Sequence, residues 1–175
     1  MRSPHPSSAQ ARRHLRHARS LWWALFAALS LSFNAGADDD GRTARVPLLP
    51  KYQQECAACH FAYPPGMLPA ASWERLMNNL PKHFGTDASL DPATLKEISS
   101  WLTAHAGTYK KVREQGREPP PEDRITLSAW FVREHREVAA AVWKRPSVGR
   151  ASNCAACHTT AAEGRFGERD IRIPK

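Results

Sequence analysis

The chain has 175 residues, of which 42% are hydrophobic, 14 are proline and four are cysteine, and its formal charge is +8. Five of the 25 basic residues, Arg2, Arg12, Arg13, Arg16 and Arg19, crowd the N-terminus with no acid among them, and without these five the excess over the 17 acids falls to +3. The high pI is thus mostly a property of the leader, and with no Lys/Arg stripe interleaved with aromatics no nucleic acid partner is expected.

Residues 1–37 read as a secretory signal peptide. The arginines form the n-region, Leu21 to Phe33 is an apolar run short for a bilayer span, and Ala35-Gly36-Ala37 is an A-x-A exit followed by Asp38-Asp39-Asp40. The alternative is an uncleaved anchor. Cleavage after Ala37 predicts a soluble periplasmic product, since no second hydrophobic span follows. Residues 38–51 read as an irregular N-terminal arm.

Residues 52–107 read as a first lobe with two helices. Ser72 is the expected N-cap of one, with Trp73, Leu76, Met77, Leu80 and Phe84 at helical spacing until Pro81 breaks it, leaving His83 on a short turn closed by Gly85. The other has Asp91 as N-cap, Pro92 as its first residue and Gly107 as its stop. Residues 108–124, with Pro119-Pro120-Pro121, read as a semi-rigid linker. Residues 125–175 read as a second lobe and tail, with one helix in which Phe131, His135, Val138 and Val142 share an apolar face. The expected fold is mainly α, two small helical lobes each around one covalently bound cofactor.

That cofactor follows from the cysteines. The pentapeptide CAACH occurs twice, at Cys56 to His60 and at Cys154 to His158, and uses every cysteine in the chain. A disulfide across a two-residue gap closes too small a loop to constrain the unfolded chain much. A zinc ribbon wants its two knuckles close in sequence, and a thioredoxin-like pair wants a βαβ setting. The histidine directly after the second cysteine points instead to c-type haem: Cys56 and Cys59, and Cys154 and Cys157, form thioethers to one haem each, and His60 and His158 are the proximal iron ligands.

The second axial position decides the chemistry. His5, His14 and His17 lie in the leader, so His83, His105 and His135 compete for two positions. His83 is expected on the iron of His60 and His135 on that of His158; the alternatives are an exchange between lobes, a partly exposed helix-end histidine at His83, and a satisfied core histidine at His135. His105 ranks third, because a histidine in a last helical turn is explained by the helix dipole. Met67 and Met77 are the rival ligands, Met77 reading as core packing.

The stretches CAACHFAYPPGMLPAASWERLM, HFGTDASLDPATLKEI, WFVREHREV, WKRPSV and CAACH together resemble the dihaem cytochrome c family of bacterial periplasmic electron carriers. The resemblance implies two low-spin haems, each between two histidines, with His83 and His135 as the distal ligands; Met67 stands where a leucine is common. It further implies single-electron transfer between a membrane cytochrome b and a small oxygen-binding monohaem cytochrome c. The rival functions are a dihaem peroxidase or reductase with one open haem site, and a sensor module.

Overall fold

The computed structural model describes residues 46–175. The expected signal peptide and residues 38–45 of the arm lie outside the described residues. Among the described residues the elements are six α-helices and seven short 3-10 turns, with no strand; the two β-bridges present are isolated, His83 with Thr86 and His158 with Ile171. No described helix is long and apolar enough to cross a membrane.

Helix α1 (Pro50–Cys56) begins inside the expected arm, because Pro50 at its first position needs no amide partner there. It delivers Cys56 at its last residue. The chain then turns through Pro65–Met67, and α2 (Ala70–Met77) follows. The helix starts ahead of Ser72, correcting the expected cap. Pro69 holds extended dihedrals and its carbonyl accepts from the amides of Ser72 and Trp73, so Ala70 and Ala71 already lie in the first turn and Ser72 is buried inside it. Pro81 ends the pattern as expected: the chain tightens into a 3-10 turn at Leu80–Lys82 and reverses at Phe84 and Gly85, both at positive φ. Helix α3 (Pro92–His105) has the expected ends. Asp91 Oδ1 accepts from the amides of Ala93 and Thr94 at 3.0 Å each, and Gly107 takes φ +61° beyond the last turn.

Helices α2 and α3 pack together over a core of Tyr52, Leu68, Trp73, Met77, Leu80, Ile98 and Leu102. Ile98 and Leu102, one helical turn apart, are wholly buried. Met77 is core packing, as its spacing suggested. The turn at Pro65–Met67 is clamped from two sides: Trp73 Nε1 donates to the Pro65 carbonyl at 2.7 Å, while the amides of Gly107 and Tyr109 donate to Leu68 and Gly66. A Cβ on Gly66 would stand 2.5 Å from Thr108 Oγ1 and 3.0 Å from the Tyr109 nitrogen, so only glycine lets the segments approach this closely.

The stretch expected as a linker is packed in its own right. Its α4 (Lys110–Glu114) buries Val112 against Trp130 and Phe131, with Tyr109 and Ile125 at the edge. Ile125 also touches the first core, so one side chain joins both clusters. At Pro121–Asp123 the chain is fastened back to α2 by a bidentate pair from Arg75 to Asp123, at 2.8 and 2.5 Å. Partial burial raises the Asp123 carboxyl, but the bonds from the Arg75 guanidinium outweigh it and hold the pKa below the usual aspartate value.

The expected single helix around His135 is two. Helix α5 (Ala129–Glu134), capped by Ser128, stops at His135, and α6 (Ala140–Trp143) resumes after a turn closed by Val138 N–H to the His135 carbonyl. The break brings Trp143 back over Phe131 and His135, an arrangement that a straight helix, with these residues strung along its axis, does not reach. The tail folds onto the second half: Arg145 Nη1 donates to Pro174, and the amides of Thr159 and Arg172 pair with the carbonyls of Asp170 and Cys157.

Two outcomes check this packing. Gly66→Ala should lower stability by about 1–3 kcal/mol in chemical unfolding, with part of the loss recovered when Thr108 is also replaced by alanine. Asp123→Asn should lower the thermal midpoint at neutral pH. A depressed carboxyl pKa gives stability that is present above the unfolded value, about 3.9, and lost as pH falls through the folded one, so the gap between variant and parent should close below about pH 4.

Candidate functional site

The described residues place the two CAACH clusters on different backbones. In the first, Cys56 closes α1 and Ala57 caps it, with Cys59 exposed. In the second, Cys154–Ala156 is a 3-10 turn, and the His158 amide reaches back to the Cys154 carbonyl at 2.8 Å. No disulfide joins any of the four cysteines. Burial pushes Cys56 up to about 11; burial does the same to Cys154, aided by Cys157 and opposed by its own backbone bond. Among the described residues no three His, Cys, Asp or Glu side chains converge as a zinc site requires.

The histidines come together in twos. The rings of His60 and His83 lie 6.2 Å apart between centroids with planes 28° apart, and those of His135 and His158 lie 6.1 Å apart at 74°. A metal bonded to two imidazoles needs about 2 Å for each metal–nitrogen bond and about 1 Å more from each nitrogen to its ring centre, roughly 6 Å in all. Both gaps fit an iron with a histidine on each side. His105 joins neither pair. Its ring rests on Trp101 and its Nδ1 donates to the Trp101 carbonyl at 2.7 Å, within its own last turn.

Each pair is built from one imidazole oriented through its ring and one pinned through its backbone. His60 Nδ1 donates to Phe61 O at 2.8 Å, and His135 Nδ1 donates to Phe131 O at 2.9 Å. With the proton on Nδ1, the Nε2 lone pair is left for a metal, the arrangement that carbonyl partners impose on ligating histidines. His83 and His158 are the residues of the isolated bridges, and the Nδ1 of each is buried without a partner. Burial lowers the pKa of both, and the facing histidine lowers it further, His60 for His83 and His135 for His158. Both effects favour the neutral form, the one a metal binds. A buried ring nitrogen without a hydrogen bond is costly, and coordination through the other nitrogen offsets that.

Apolar rings enclose the pairs. Phe131 stacks on His135 at 4.0 Å, Trp143 lies 5.9 Å away, and Phe166 meets His158 at 5.4 Å. Around the first pair, Tyr63 lies 4.9 Å from His60 and Phe84 lies 4.9 Å from His83, with the Arg124 guanidinium over the Phe84 ring at 4.3 Å. Sequence reasoning missed Tyr63, Phe61, Phe166 and Trp143. Phe61, Tyr63 and Trp143 do lie in the stretches CAACHFAYPPGM and WKRPSV, which was the available signal; Phe166 lies in none.

The family model for dihaem cytochrome c matches residues 52–166. A diheme cytochrome c from Rhodobacter sphaeroides is 43% identical; the match covers 70% of this chain and 100% of that one, with a TM-score of 0.63. A diheme cytochrome type c from Shewanella baltica is 37% identical, covering 74% of this chain and 95% of its own, with a TM-score of 0.62. No curated protein sequence matches the chain.

Phe131, nearly buried and stacked on His135, gives the site its test of packing. Phe131→Ala should cost about 3–5 kcal/mol in denaturant unfolding, and absorption should show the second site disturbed while the first keeps its spectrum.

Proposed function

The chain belongs to the dihaem cytochrome c family, and from that premise we propose that it is an exported electron carrier whose irons are closed on both faces by histidine, His60 with His83 and His135 with His158. Membership brings two covalently bound c-type haems, on Cys56 and Cys59 and on Cys154 and Cys157, and a role in electron transfer. When bound, each haem supplies an iron that changes by one electron. The protein's own residues hold, orient and shield it. The observation that carries the ligand assignment is the pair of ring separations, 6.2 and 6.1 Å.

With an imidazole on each face there is no seat for a substrate, which favours a carrier over a peroxidase or reductase. Ligands that stay in place through the redox change also keep reorganisation small. Two histidines, without the potential-raising methionine, make for low potentials. The leader at 1–37 supports export to the periplasm. We assign the partners that the resemblance implies, a membrane cytochrome b and a small oxygen-binding monohaem cytochrome c. The charge is divided to suit two transient partners. Residues 52–107 carry three basic and five acidic side chains, and residues 125–175 carry nine basic and five acidic. Docking of this kind weakens with salt.

Spectroscopic redox titration of the holoprotein with a carbon monoxide challenge tests the reading. Two low-spin haems that bind no carbon monoxide when reduced are expected. The ferric protein should give two distinct electron paramagnetic resonance signals, because imidazole planes 74° apart leave two iron d-orbitals nearly equal in energy and push the signal to higher g, whereas planes 28° apart do not. His83→Ala should open the first haem alone to carbon monoxide. A five-coordinate or methionine-bound iron in the resting protein would overturn the assignment.

A further inference from the structure

The two haem-attachment segments are far apart in sequence and are tied together by residues that belong to neither CAACH. Tyr63 lies three residues past His60. Its ring packs on His60 at 4.9 Å and on Phe61 at 4.4 Å, and its hydroxyl donates to the Ser152 carbonyl at 2.7 Å, two residues before Cys154. Its own carbonyl accepts from the Tyr52 hydroxyl at 2.9 Å, and Tyr52 is a buried member of the first core, packed on Trp101 at 5.3 Å. Two tyrosine hydroxyls in series thus run from the α1–α3 core to the backbone two residues ahead of the second CAACH. A ring path runs beside them, from Phe61 to Phe166 at 6.2 Å and from Phe166 to His158 at 5.4 Å. His60 and His158 are joined by rings throughout.

We propose that Tyr63 is the positioning residue that fixes the two haems relative to one another, through its ring against His60 and its hydroxyl on the segment that carries Cys154. This rests on the reading of His60 and His158 as the proximal ligands. Tyr63 touches the ligand of one haem and the attachment backbone of the other, so a shift in it moves one cofactor against its neighbour. How strongly a charge on one haem is felt at the other depends on their separation, and so does the ease of electron sharing between them. A tie from a rigid core with no rotatable backbone between its two contacts suits that role better than the short helices of the second half.

Tyr63→Phe holoprotein is the test, because it keeps the ring and removes only the hydroxyl. Amide hydrogen exchange over residues 152–158 should accelerate roughly fivefold, the size one hydrogen bond carries. The equilibrium constant for sharing one electron between the haems, taken from the two midpoint potentials, should shift by a similar factor, with both haems still low-spin. Faster exchange with an unchanged constant would make the bond a structural tie only and overturn the proposal, as would no change in either. If Tyr63→Phe does not take up both haems, Tyr52→Phe, which removes only the bond that holds the Tyr63 carbonyl, is read by the same two measurements, with the same outcomes deciding. The resonance signals of the unaltered protein test the histidine pairs independently of Tyr63, so failure of the ligand reading shows itself separately.

Discussion

The architecture turns on the width of two gaps between imidazole rings, 6.2 and 6.1 Å. Each gap is bounded by histidines from distant stretches of chain, so each must be set by tertiary structure. The first is set by the α2–α3 core, which holds the turn at Leu80–Lys82 against the loop that follows α1. Pro81, the reversal at Phe84 and Gly85, and the Ala88 amide bonded to the Leu80 carbonyl place His83 where no continuous helix puts it. The second is set by the break after α5, which lets Trp143 as well as Phe131 pack on His135.

The two sites use the same parts in opposite places. In the first pair the histidine of CAACH has its ring hydrogen-bonded and the distal one is held by a bridge; in the second the distal one is hydrogen-bonded and the histidine of CAACH is held by a bridge. A hydrogen bond from Nδ1 to a carbonyl makes the imidazole a stronger base towards its metal. Since each proposed ligand set contains one such ring, this effect does little to separate the two haems. The ring-plane angles, 28° and 74°, do separate them, as does the charge around each half.

What could be read from the sequence was local. The ends of α3 rest on residue types whose effect hardly depends on surroundings, a carboxylate at Asp91, the fixed φ of Pro92 and the positive φ available to Gly107. The two CAACH clusters are likewise self-contained. Where tertiary contacts decide, sequence reasoning went astray. Ser72 has good capping chemistry, but Pro69 starts the helix earlier and Ser72 is drawn into the core. Val138 and Val142 continue the period of Phe131 and His135, but the chain breaks after Glu134 and brings Trp143 against the imidazole instead. The polar, proline-rich composition of 108–124 hid α4, since a single buried Val112 is enough to seat a five-residue helix against Trp130 and Phe131. The role of Tyr63 rests on a contact 89 residues away, beyond any local pattern.

The thiols bear on the order of assembly. Were the chain to fold before taking up haem, burial would raise the Cys56 and Cys154 thiols to about 11 and disfavour the nucleophilic thiolate. Thioether formation is favoured before these segments pack, while the cysteines are still in water. The second half has most to gain from that sequence of events. Its α-helices, α5 and α6, run six and four residues, and the rest of its regular structure is three-residue 3-10 turns. Helices of that length do not hold themselves in water. Its buried hydrophobic residues are few: Trp130, Phe131, Val148 and Ala161. A flat apolar macrocycle, covalently fixed at Cys154 and Cys157 and set among Phe131, Trp143 and Phe166, would supply the surface against which such short elements can pack, so attachment there is part of folding and not a later addition to it.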